Sequence, residues 1–373
     1  MLIGCPKEIK AQEHRAGLVP LSVKEFVARG HKVIVETGLG AGINFSDDDY
    51  KAAGAEIRKT AKEIFAEADM IIKVKEPQPV ECKMLRKDQV LFTYLHLAAD
   101  AEQARALMGS GCVAIAYETV TGPGGKGLPL LAPMSEVAGR LSVLVGAFSL
   151  QKHAGGTGRL ISGVPGVLPA KVLVIGGGVA GFNAAKVAVG MGADTTILEK
   201  DHDRMRFLDD YFRGAAHVVY SSRDAVEKAL PLTDLVIGAV LIPGAAAPVL
   251  VTRRDLKTMM PGSVMVDIAI DQGGCFETSK ATTHKDPTYV VDGIVHYCVA
   301  NMPGAVPLTS ALALNHAVLP YALKLADKGW KAALLADPNL RAGLNVCRGE
   351  ITHENVAQAL ALPFNPRPSD LAA

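Results

Sequence analysis

The stretch Lys171-Val-Leu-Val-Ile-Gly-Gly-Gly-Val-Ala-Gly-Phe-Asn-Ala-Ala-Lys186 places a glycine-rich turn between an apolar run and a helix-forming run. Gly176, Gly178 and Gly181 follow the spacing G-x-G-x-x-G, which is informative when a strand precedes it and a helix follows. The first glycine allows a tight turn, the second lets the backbone approach a pyrophosphate, and the third lets helix and strand pack closely. The N–H groups that open the helix attract the same anion. This stretch therefore predicts a dinucleotide-binding βα unit.

An acidic residue follows at the position that such a unit requires. Glu199 ends the next predicted strand, close to the spacing of ~20 residues at which a carboxylate accepts hydrogen bonds from the ribose hydroxyls. A carboxylate there also repels a 2′-phosphate, so the sequence favours NAD over NADP. Lys200, Arg204 and Arg206 lie nearby and weaken that preference.

Short apolar strands alternate with amphipathic helices on both sides of this stretch, a pattern typical of parallel sheets covered by helices. On the C-terminal side the predicted strands number six, as in a Rossmann domain: 172–175, 195–198, 218–220, 235–237, 264–268 and 289–291. On the N-terminal side they are 2–5, 32–36, 70–75, 90–95 and 113–117, with helices over 21–29 and 101–108. Beyond about Asn301 the pattern is helical to the end, and 310–328 is the strongest helix, with a kink predicted at Pro320.

The helical tail has no sheet of its own, so we expect it to pack on the first series of strands. The prediction is an α/β fold with two Rossmann-like, doubly wound parallel-sheet domains. The N-terminal, substrate-binding domain is discontinuous and comprises residues 1–134 and 306–373. The NAD-binding Rossmann domain, residues 135–305, is inserted into it. A helix capped by Ser135 connects the two.

Composition and charge exclude several classes of function. The 373 residues include 39 Lys and Arg against 38 Asp and Glu, a net charge of +1, which gives no electrostatic footprint for nucleic acid or for an anionic membrane surface. Two long stretches without charged residues, 235–252 and 293–323, contain prolines and polar residues. They therefore indicate buried strand, loop and helix instead of membrane spans. The N-terminus lacks the layout of a signal peptide.

The cysteines show no metal-binding pattern. The six cysteines are far apart and form no CxxC pair, so the zinc-site spacings are absent. We expect reduced thiols, no metal and a cytoplasmic protein.

Three polar residues follow predicted strands of the first domain. Lys75 ends one strand, His96 follows another, and Arg15 lies in the loop after the first. Ligands bind beyond the carboxyl ends of the strands in open parallel sheets, and these groups suit a small anionic substrate. Each has an ordinary alternative: a solvated lysine at a strand end, a histidine satisfied in the core, and an arginine in a charged loop. Their joint placement favours a function.

The second domain carries a pair of carboxylates beside a glycine turn. Asp267 and Asp271 lie four residues apart where the predicted strand 264–268 ends. In extended chain they would share a face, whereas a bend after Ala269 would separate their roles. A solvated acidic turn is the alternative for either residue. Asn301 and Met302 follow a further apolar stretch. We expect both segments to border an interdomain cleft that holds the nicotinamide.

Six segments together identify a family. KEIKxxExR near the N-terminus, KVKEP at 73–77, LHLA at 95–98, PMSEVAGR at 133–140, the GGGVAGxNAAK loop and DIAIDQGGCFE at 267–277 occur in this order over nearly the whole chain. With them the sequence resembles L-alanine dehydrogenase. Relatives of that family include the nucleotide-binding subunit of the proton-translocating nicotinamide nucleotide transhydrogenase. That subunit shares the architecture but lacks the LHLA histidine, so His96 favours the dehydrogenase.

The resemblance implies reversible, NAD-dependent oxidative deamination of L-alanine to pyruvate and ammonia by a homohexamer. It implies that Arg15 and Lys75 hold the substrate's carboxylate and carbonyl oxygen. His96 is then the acid/base group on the substrate oxygen, and Asp271 assists the water and ammonia steps. With the glycine loop included, the implied cofactor-binding residues are Ser135, Gly176, Gly178, Val179, Ala180, Gly181, Glu199, Arg204, Ser221, Val240, Asp271, Asn301 and Met302. The family more often has Asp at the position of Glu199.

Two other classes of protein remain open at this stage. One is a nucleotide-binding module that passes hydride to a membrane partner, as in transhydrogenase. The other is a non-catalytic NAD-binding protein that retains the fold. Loss of turnover with retained NAD binding on replacement of His96 distinguishes a dehydrogenase from the second of these.

Overall fold

The structure is a computed structural model that describes residues 1–240, 247–366 and 371. The chain divides into two compact units, the first made of Met1–Met134 with Val306–Ala373 and the second of Ser135–Ala305. Each unit is built around one β-sheet. Among the described residues, no helix combines the length and apolarity that crossing a membrane requires. Residues 241–246 of the uncharged stretch 235–252 lie outside the described part.

Fifteen strands lie within the described residues. In chain order they are β1 Leu2–Cys5, β2 Lys32–Glu36, β3 Glu56–Arg58, β4 Met70–Ile72, β5 Val90–Thr93, β6 Val113–Ala116, β7 Lys171–Ile175, β8 Asp194–Glu199, β9 His217–Tyr220, β10 Leu235–Gly238, β11 Val264–Asp267, β12 Thr288–Val291, β13 Ile294–Tyr297, β14 Leu344–Cys347 and β15 Glu350–Ile351.

Fourteen α-helices lie within the same residues. They are α1 Pro20–Ala28, α2 Asp47–Ala52, α3 Ala61–Glu67, α4 Pro79–Cys82, α5 Ala101–Ser110, α6 Ala132–Ser149, α7 Val179–Gly190, α8 His202–Phe212, α9 Arg223–Ala229, α10 Arg253–Leu256, α11 Pro307–Lys328, α12 Trp330–Ala336, α13 Pro338–Arg341 and α14 Glu354–Leu360. Helix α11 continues through Pro320.

The sheet of the first unit has the order β15-β14-β6-β5-β4-β1-β2-β3. Strands β1 to β6 are parallel, and the inner strands β4, β5 and β6 are buried along their whole length, as expected when helices cover both faces. The order turns at β1, which lies between β2 and β4. This is a topological switch point, where open parallel sheets bind ligands.

The tail contributes two strands that the sequence analysis read as helix. Strand β14 pairs antiparallel with β6, and β15 pairs antiparallel with β14. The expectation of helix to the end of the chain was wrong here because strands of two to four residues are too short to show a period-two pattern. The three-residue edge strand β3 was missed for the same reason.

The sheet of the second unit has the order β12-β13-β11-β10-β7-β8-β9. Six neighbouring strands of this sheet, β13-β11-β10-β7-β8-β9, are parallel. Strand β7 lies at the switch point, between β8 and β10. The predicted sixth strand, 289–291, is the antiparallel edge strand β12. The sixth parallel strand is β13, which is buried throughout although His296 lies within it. That polar residue obscured an apolar run in the sequence.

Helix α6 begins earlier than predicted. Ala132 and Met134 donate their N–H groups to the carbonyls of Leu128 and Leu131, so backbone hydrogen bonds have already started the helix before Ser135. The prediction that Ser135 caps this helix was therefore wrong, since Ser135 lies within its first turns. Pro133 at the second helical position fits this start, because no intrahelical N–H is needed there.

Candidate functional site

The glycine loop follows β7 at the switch point of the second unit and has the form that the sequence predicted. Gly176 has φ of +99°, a left-handed conformation that favours glycine. A Cβ on Gly181 would lie 1.7 Å from the carbonyl oxygen of Gly176, so α7 can approach β7 only with glycine there. A Cβ on Gly178 would meet no atom within 4 Å. The packing of the protein itself would therefore allow a side chain at Gly178.

The start of helix α7 is open to an anion. Val179 begins the helix and is 42% exposed, and no side chain caps it. The first N–H groups of a helix have no intrahelical partner and lie at the positive end of its dipole. Together with the space above Gly178, this geometry fits the pyrophosphate of a dinucleotide.

Helix α6 packs closely against this loop. A Cβ on Gly139 would lie 2.1 Å from the carbonyl oxygen of Ala180, and Arg140 donates to the Asn183 side chain at 3.0 Å. Ser135 lies one turn before Gly139 on the same helix, and residues four apart share a helix face. The predicted cofactor residue Ser135 therefore lies on the face of α6 that packs on the loop.

Glu199 and Arg204 both contact the glycine loop. The Glu199 carboxylate accepts the N–H of Gly177 at 2.8 Å, and it also accepts those of the next two residues along its own chain. Arg204 donates to the carbonyl oxygen of Gly177 at 2.6 Å, and burial lowers the pKa of Arg204. Glu199 therefore supports the loop through its own hydrogen bonds, in addition to the ribose contact predicted for it.

The remaining predicted cofactor residues of the second unit lie at or beyond the ends of other strands. Ser221 follows β9 and donates its N–H to the carbonyl oxygen of Glu199 at 2.8 Å. Val240 follows β10, where a Cβ on Gly176 would meet its side chain at 2.9 Å. Asn301 has φ of +65° and its carbonyl accepts a hydrogen bond from His284. Buried Met302 follows it.

The two aspartates after β11 have different environments. Asp267 is fully buried and its carboxylate accepts the N–H of Ala269 at 3.0 Å, the N–H of Cys275 at 2.8 Å and the hydroxyl of Ser279. Burial raises its pKa despite these hydrogen bonds. Asp271 is exposed on a 3-10 turn, Ile268–Gln272. The chain bends directly after Asp267, earlier than the bend after Ala269 considered above, so Asp267 holds the turn that presents Asp271.

In the first unit, Arg15 lies in the loop between β1 and α1. It is 3% exposed, and its guanidinium binds Glu13 through Nε at 2.7 Å and Nη2 at 2.5 Å. Nη1 lies 3.0 Å from the sulfur of Met134. Burial acts to lower the pKa of Arg15, and the ion pair with Glu13 raises it overall. The arginine is therefore held in one orientation as a permanent cation.

Lys75 follows β4, on the other side of the switch point from Arg15. Strand β4 ends at Ile72, so Lys75 lies in the following loop and not at a strand end as predicted. Its backbone N–H donates to Glu8 at 3.2 Å, and its carbonyl accepts the hydroxyl of Thr93 at 2.9 Å. Buried Lys73 binds Glu8 at 3.1 Å and Glu81 at 2.7 Å, which neutralises part of the charge of both carboxylates.

His96 follows β5, which ends at Thr93 instead of Leu95. Its backbone is left-handed, with φ of +51° and ψ of +36°, and its side chain is 47% exposed. The ring stacks on Tyr94, with the centroids 5.8 Å apart. Glu118 accepts the N–H of His96 at 2.6 Å. The histidine is therefore accessible, and the interpretation of His96 as a satisfied core residue is wrong.

Sequence reasoning missed the carboxylates that hold these groups. Glu13 binds Arg15, Glu8 binds the backbone of Lys75, and Glu118 binds the backbone of His96. Glu8 and Glu13 belong to the segment KEIKxxExR, so a signal for them was present. Glu118 lies outside the six segments that carry the family resemblance.

The residues present fit a dinucleotide cofactor. The open space at Gly178, the uncapped start of α7 and the nearby Glu199 carboxylate suit the pyrophosphate and ribose of such a molecule. Among the residues that the structure describes, no group of three or more His, Cys, Asp or Glu side chains could hold a metal ion.

We expect Gly178→Ala to weaken NAD binding without weakening the fold. The new methyl group would occupy the space that a pyrophosphate needs, so the Kd for NADH should rise about 10-fold or more. Gly178 has φ of −63°, which alanine adopts readily, so the free energy of unfolding should rise slightly, by ~0.4–1 kcal/mol. NADH fluorescence titration and thermal unfolding measure the two effects.

Gly190→Ala is the matched control for this variant. Gly190 lies at the other end of α7, and a Cβ there also meets nothing within 4 Å. We expect it to bind NADH like the unchanged protein. Equal NADH affinity in both variants would mean that the loop does not hold the pyrophosphate.

Two family models match the chain. The model described as "Alanine dehydrogenase/PNT, N-terminal domain" matches residues 4–138, and "Alanine dehydrogenase/PNT, C-terminal domain" matches residues 142–354. Together they account for nearly the whole chain.

Curated relatives are similar over their full length. The chain is 56% identical to "Alanine dehydrogenase" of Halomonas elongata over 364 residues, which is 98% of both chains. It is 54% identical to the protein of the same name from Mycolicibacterium smegmatis over 372 residues, 100% of both. The protein of this name from Bacillus subtilis is 53% identical, with 98% of this chain and 96% of that one covered.

Solved structures give the same result. A structure entitled "L-alanine dehydrogenase" superposes with a TM-score of 0.93 and 50% identity, covering 97% of this chain and 99% of the other. A transhydrogenase from Sinorhizobium meliloti superposes with a TM-score of 0.80 and 25% identity, covering 95% and 99%. The similarity to the first is thus greater in both sequence and structure.

Proposed function

The chain belongs to the alanine dehydrogenase/PNT family, and from this premise we propose that it catalyses the reversible oxidative deamination of L-alanine to pyruvate and ammonia with NAD. It is an oxidoreductase that uses a nicotinamide nucleotide. The observation that carries the proposal is the placement of Arg15, Lys75 and His96 after β1, β4 and β5 of one sheet. These strands are neighbours at the switch point, and the relatives of highest identity given above are named for this activity.

The two cations bind and orient the substrate. Arg15 and Lys75 offer N–H donors to the carboxylate and carbonyl oxygen of pyruvate, or to the carboxylate of alanine. Charge-assisted hydrogen bonds of this kind are strong and directional. Because Glu13 and Glu8 hold the arginine side chain and the lysine backbone, the substrate is oriented by groups whose positions are set before it binds.

His96 moves a proton at the substrate oxygen. When the hydride leaves the α-carbon and water adds to the resulting imine, the new hydroxyl oxygen must lose its proton as ammonia departs. An accessible imidazole can accept that proton and return it in the reverse reaction. Asp271, exposed on its 3-10 turn, assists the steps in which water adds and ammonia departs. When bound, the nicotinamide supplies the hydride acceptor.

The preference for NAD over NADP rests on Glu199. Its carboxylate lies beside the glycine loop, where a negative charge accepts ribose hydroxyls and repels a 2′-phosphate. Lys200 is exposed and Arg204 donates to the loop carbonyl oxygen of Gly177. Both cations lie near Glu199, but neither supplies the negative charge on which the preference for NAD depends.

The first test mixes the purified protein with L-alanine and NAD and follows the absorbance of reduced nicotinamide. NADP and D-alanine are run in parallel. Reduction with L-alanine and NAD alone supports the reaction, its stereochemistry and the role of Glu199. No reduction in any mixture, while NAD still binds, would contradict the proposal and favour a module that needs a membrane partner.

A homo-oligomer, a hexamer by family resemblance, is the assembly that we propose. Six large apolar side chains between residues 144 and 168 are more than half exposed: Leu144, Phe148, Leu160, Val164, Val167 and Leu168. Contiguous exposed apolar patches mark association surfaces, and we propose that these side chains belong to one. We expect Phe148→Glu to lower the molar mass measured by light scattering, whereas Leu232→Glu, at an equally exposed position outside this segment, should leave it unchanged. An unchanged mass in both would remove this segment from the interface.

A cytoplasmic location agrees with the state of the cysteines. All six are buried free thiols, and burial raises the pKa of Cys82 and Cys112 to about 11. Thiols of this kind are protonated and unreactive. We propose that the protein works in a reducing compartment.

A further inference from the structure

Glu118 lies beside His96 without belonging to any motif. It follows β6 in a short 3-10 turn, Tyr117–Thr119, and β6 is the parallel neighbour of β5, which precedes His96. Its side chain is only 15% exposed. A carboxylate in such a position is costly unless it is hydrogen-bonded.

The hydrogen bonds of Glu118 go to the backbone that carries His96. Oε1 accepts the N–H of His96 at 2.6 Å and that of Leu95 at 3.1 Å, and Oε2 lies 3.2 Å from the same Leu95 nitrogen. His96 has the left-handed φ of +51°, a conformation that few residues other than glycine adopt and that costs free energy. The carboxylate therefore stabilises a strained conformation that turns the imidazole outward.

Glu118 also faces the imidazole itself. Nδ1 of His96 lies 4.0 Å from Oε1 of Glu118, and the flat face of the ring rests on Tyr94. Tyr94 is in turn held by a hydrogen bond from its hydroxyl to the carbonyl of Leu130. The ring therefore packs on an aromatic plane and has a carboxylate near Nδ1, at a distance too long for a hydrogen bond.

We propose that Glu118 is the positioning residue of His96. It holds the His96 backbone in its left-handed conformation, and its negative charge stabilises the imidazolium that forms when His96 takes the substrate proton. This inference deepens the proposed function and rests on it, because it assigns to Glu118 a role in the proton transfer of that reaction. The proposed role is exerted through His96 and requires no contact between Glu118 and the substrate.

The experiment compares Glu118→Ala, which removes both effects, with Glu118→Gln, which keeps an oxygen acceptor for the backbone but removes the charge. A misplaced catalytic group costs up to about 10²-fold in rate. We expect kcat to fall about 10- to 100-fold in Glu118→Ala and about 3- to 10-fold in Glu118→Gln, with KM for L-alanine and Kd for NADH changed less than about 3-fold. Partial rescue by glutamine and an effect confined to kcat are not expected of a merely structural residue.

Two variants serve as controls. Asp100→Ala removes the carboxylate that caps α5, four residues after His96, and should lower the melting temperature without lowering kcat. His353→Gln tests a second histidine on which the charge of Glu118 acts. Burial lowers the pKa of His353, and the negative charge of Glu118 opposes that effect. If His353→Gln reproduced the loss in kcat, Glu118 would act through His353 and the proposal would be wrong.

A crystal structure of Glu118→Ala gives a result independent of activity. We expect His96 to leave the left-handed conformation, or its ring to leave Tyr94. An unchanged His96 together with unchanged kcat would overturn the proposal. Absence of any alanine-dependent reduction in the unsubstituted protein would instead refute the proposed function, and the crystal structure would still decide whether Glu118 holds His96.

Discussion

Replacing His96 by asparagine is expected to lower kcat by about 10²–10⁴-fold, the range that general acid–base catalysis contributes. Asparagine is the informative substitute because it adopts the left-handed φ of +51° found at His96, whereas alanine adds strain there. The backbone hydrogen bond to Glu118 can then persist. What is lost is a group able to exchange a proton with the substrate oxygen.

The measurement is steady-state kinetics in both directions together with NADH titration. Kd for NADH should stay within about 3-fold of its original value, since His96 belongs to the unit that does not carry the glycine loop. His316→Asn, at an exposed histidine on α11, is the matched control and should keep full activity. A His96→Asn variant with unchanged kcat would assign the proton transfer to another residue and favour the non-catalytic alternative.

Replacing Arg15 by methionine is expected to produce the second largest effect, on both binding and stability. Removing charge-assisted hydrogen bonds to the substrate carboxylate, worth ~1.5–3 kcal/mol, should lower kcat/KM for L-alanine about 10- to 100-fold. The same change removes the cation that buried Glu13, 6% exposed, binds at 2.5 and 2.7 Å. We therefore expect the free energy of unfolding to fall by about 3–5 kcal/mol.

A double variant separates the two effects of Arg15. Glu13→Gln combined with Arg15→Met removes both charges of the pair, so much of the stability should return while kcat/KM stays low. Arg29→Met is the control: Arg29 pairs with Asp327 at the surface, and such pairs are worth ~1 kcal/mol or less. Recovery of kcat/KM in the double variant would show that Arg15 is structural and does not bind substrate.

The arrangement of parallel strands was predictable from sequence because most of those strands are buried on both faces. Strands β1 and β2 have the predicted bounds, and the apolar runs of β7 and β10 were recognised within one residue. Continuous apolar runs separated by amphipathic helices are the pattern that predicts buried parallel strands. The tail strands β14 and β15 lack it, since they are only four and two residues long.

The site was predictable only as far as groups that act on a ligand. Arg15, Lys75 and His96 were found because they follow strands and carry charge or a titratable ring. Their carboxylate partners were not, because a pair such as Glu118 and His96 is far apart in sequence and meets through the parallel pairing of β5 with β6. Likewise, the spacing of Asp267 and Asp271 does not reveal which of them is buried. The bend after β11 buries Asp267 and leaves Asp271 exposed.

The pairing of β14 with β6 has a consequence for synthesis of the chain. Strand β6 ends at Ala116, but its antiparallel neighbour begins at Leu344, and the second unit is translated completely in between. At ~5–20 residues per second, the ribosome delivers β14 roughly ten to fifty seconds after β6. During that time the hydrogen-bonding edge of β6 is open to pairing with other chains. We therefore expect the contiguous second unit to fold first on the ribosome, and chaperones to be most needed by nascent chains that end between these two strands.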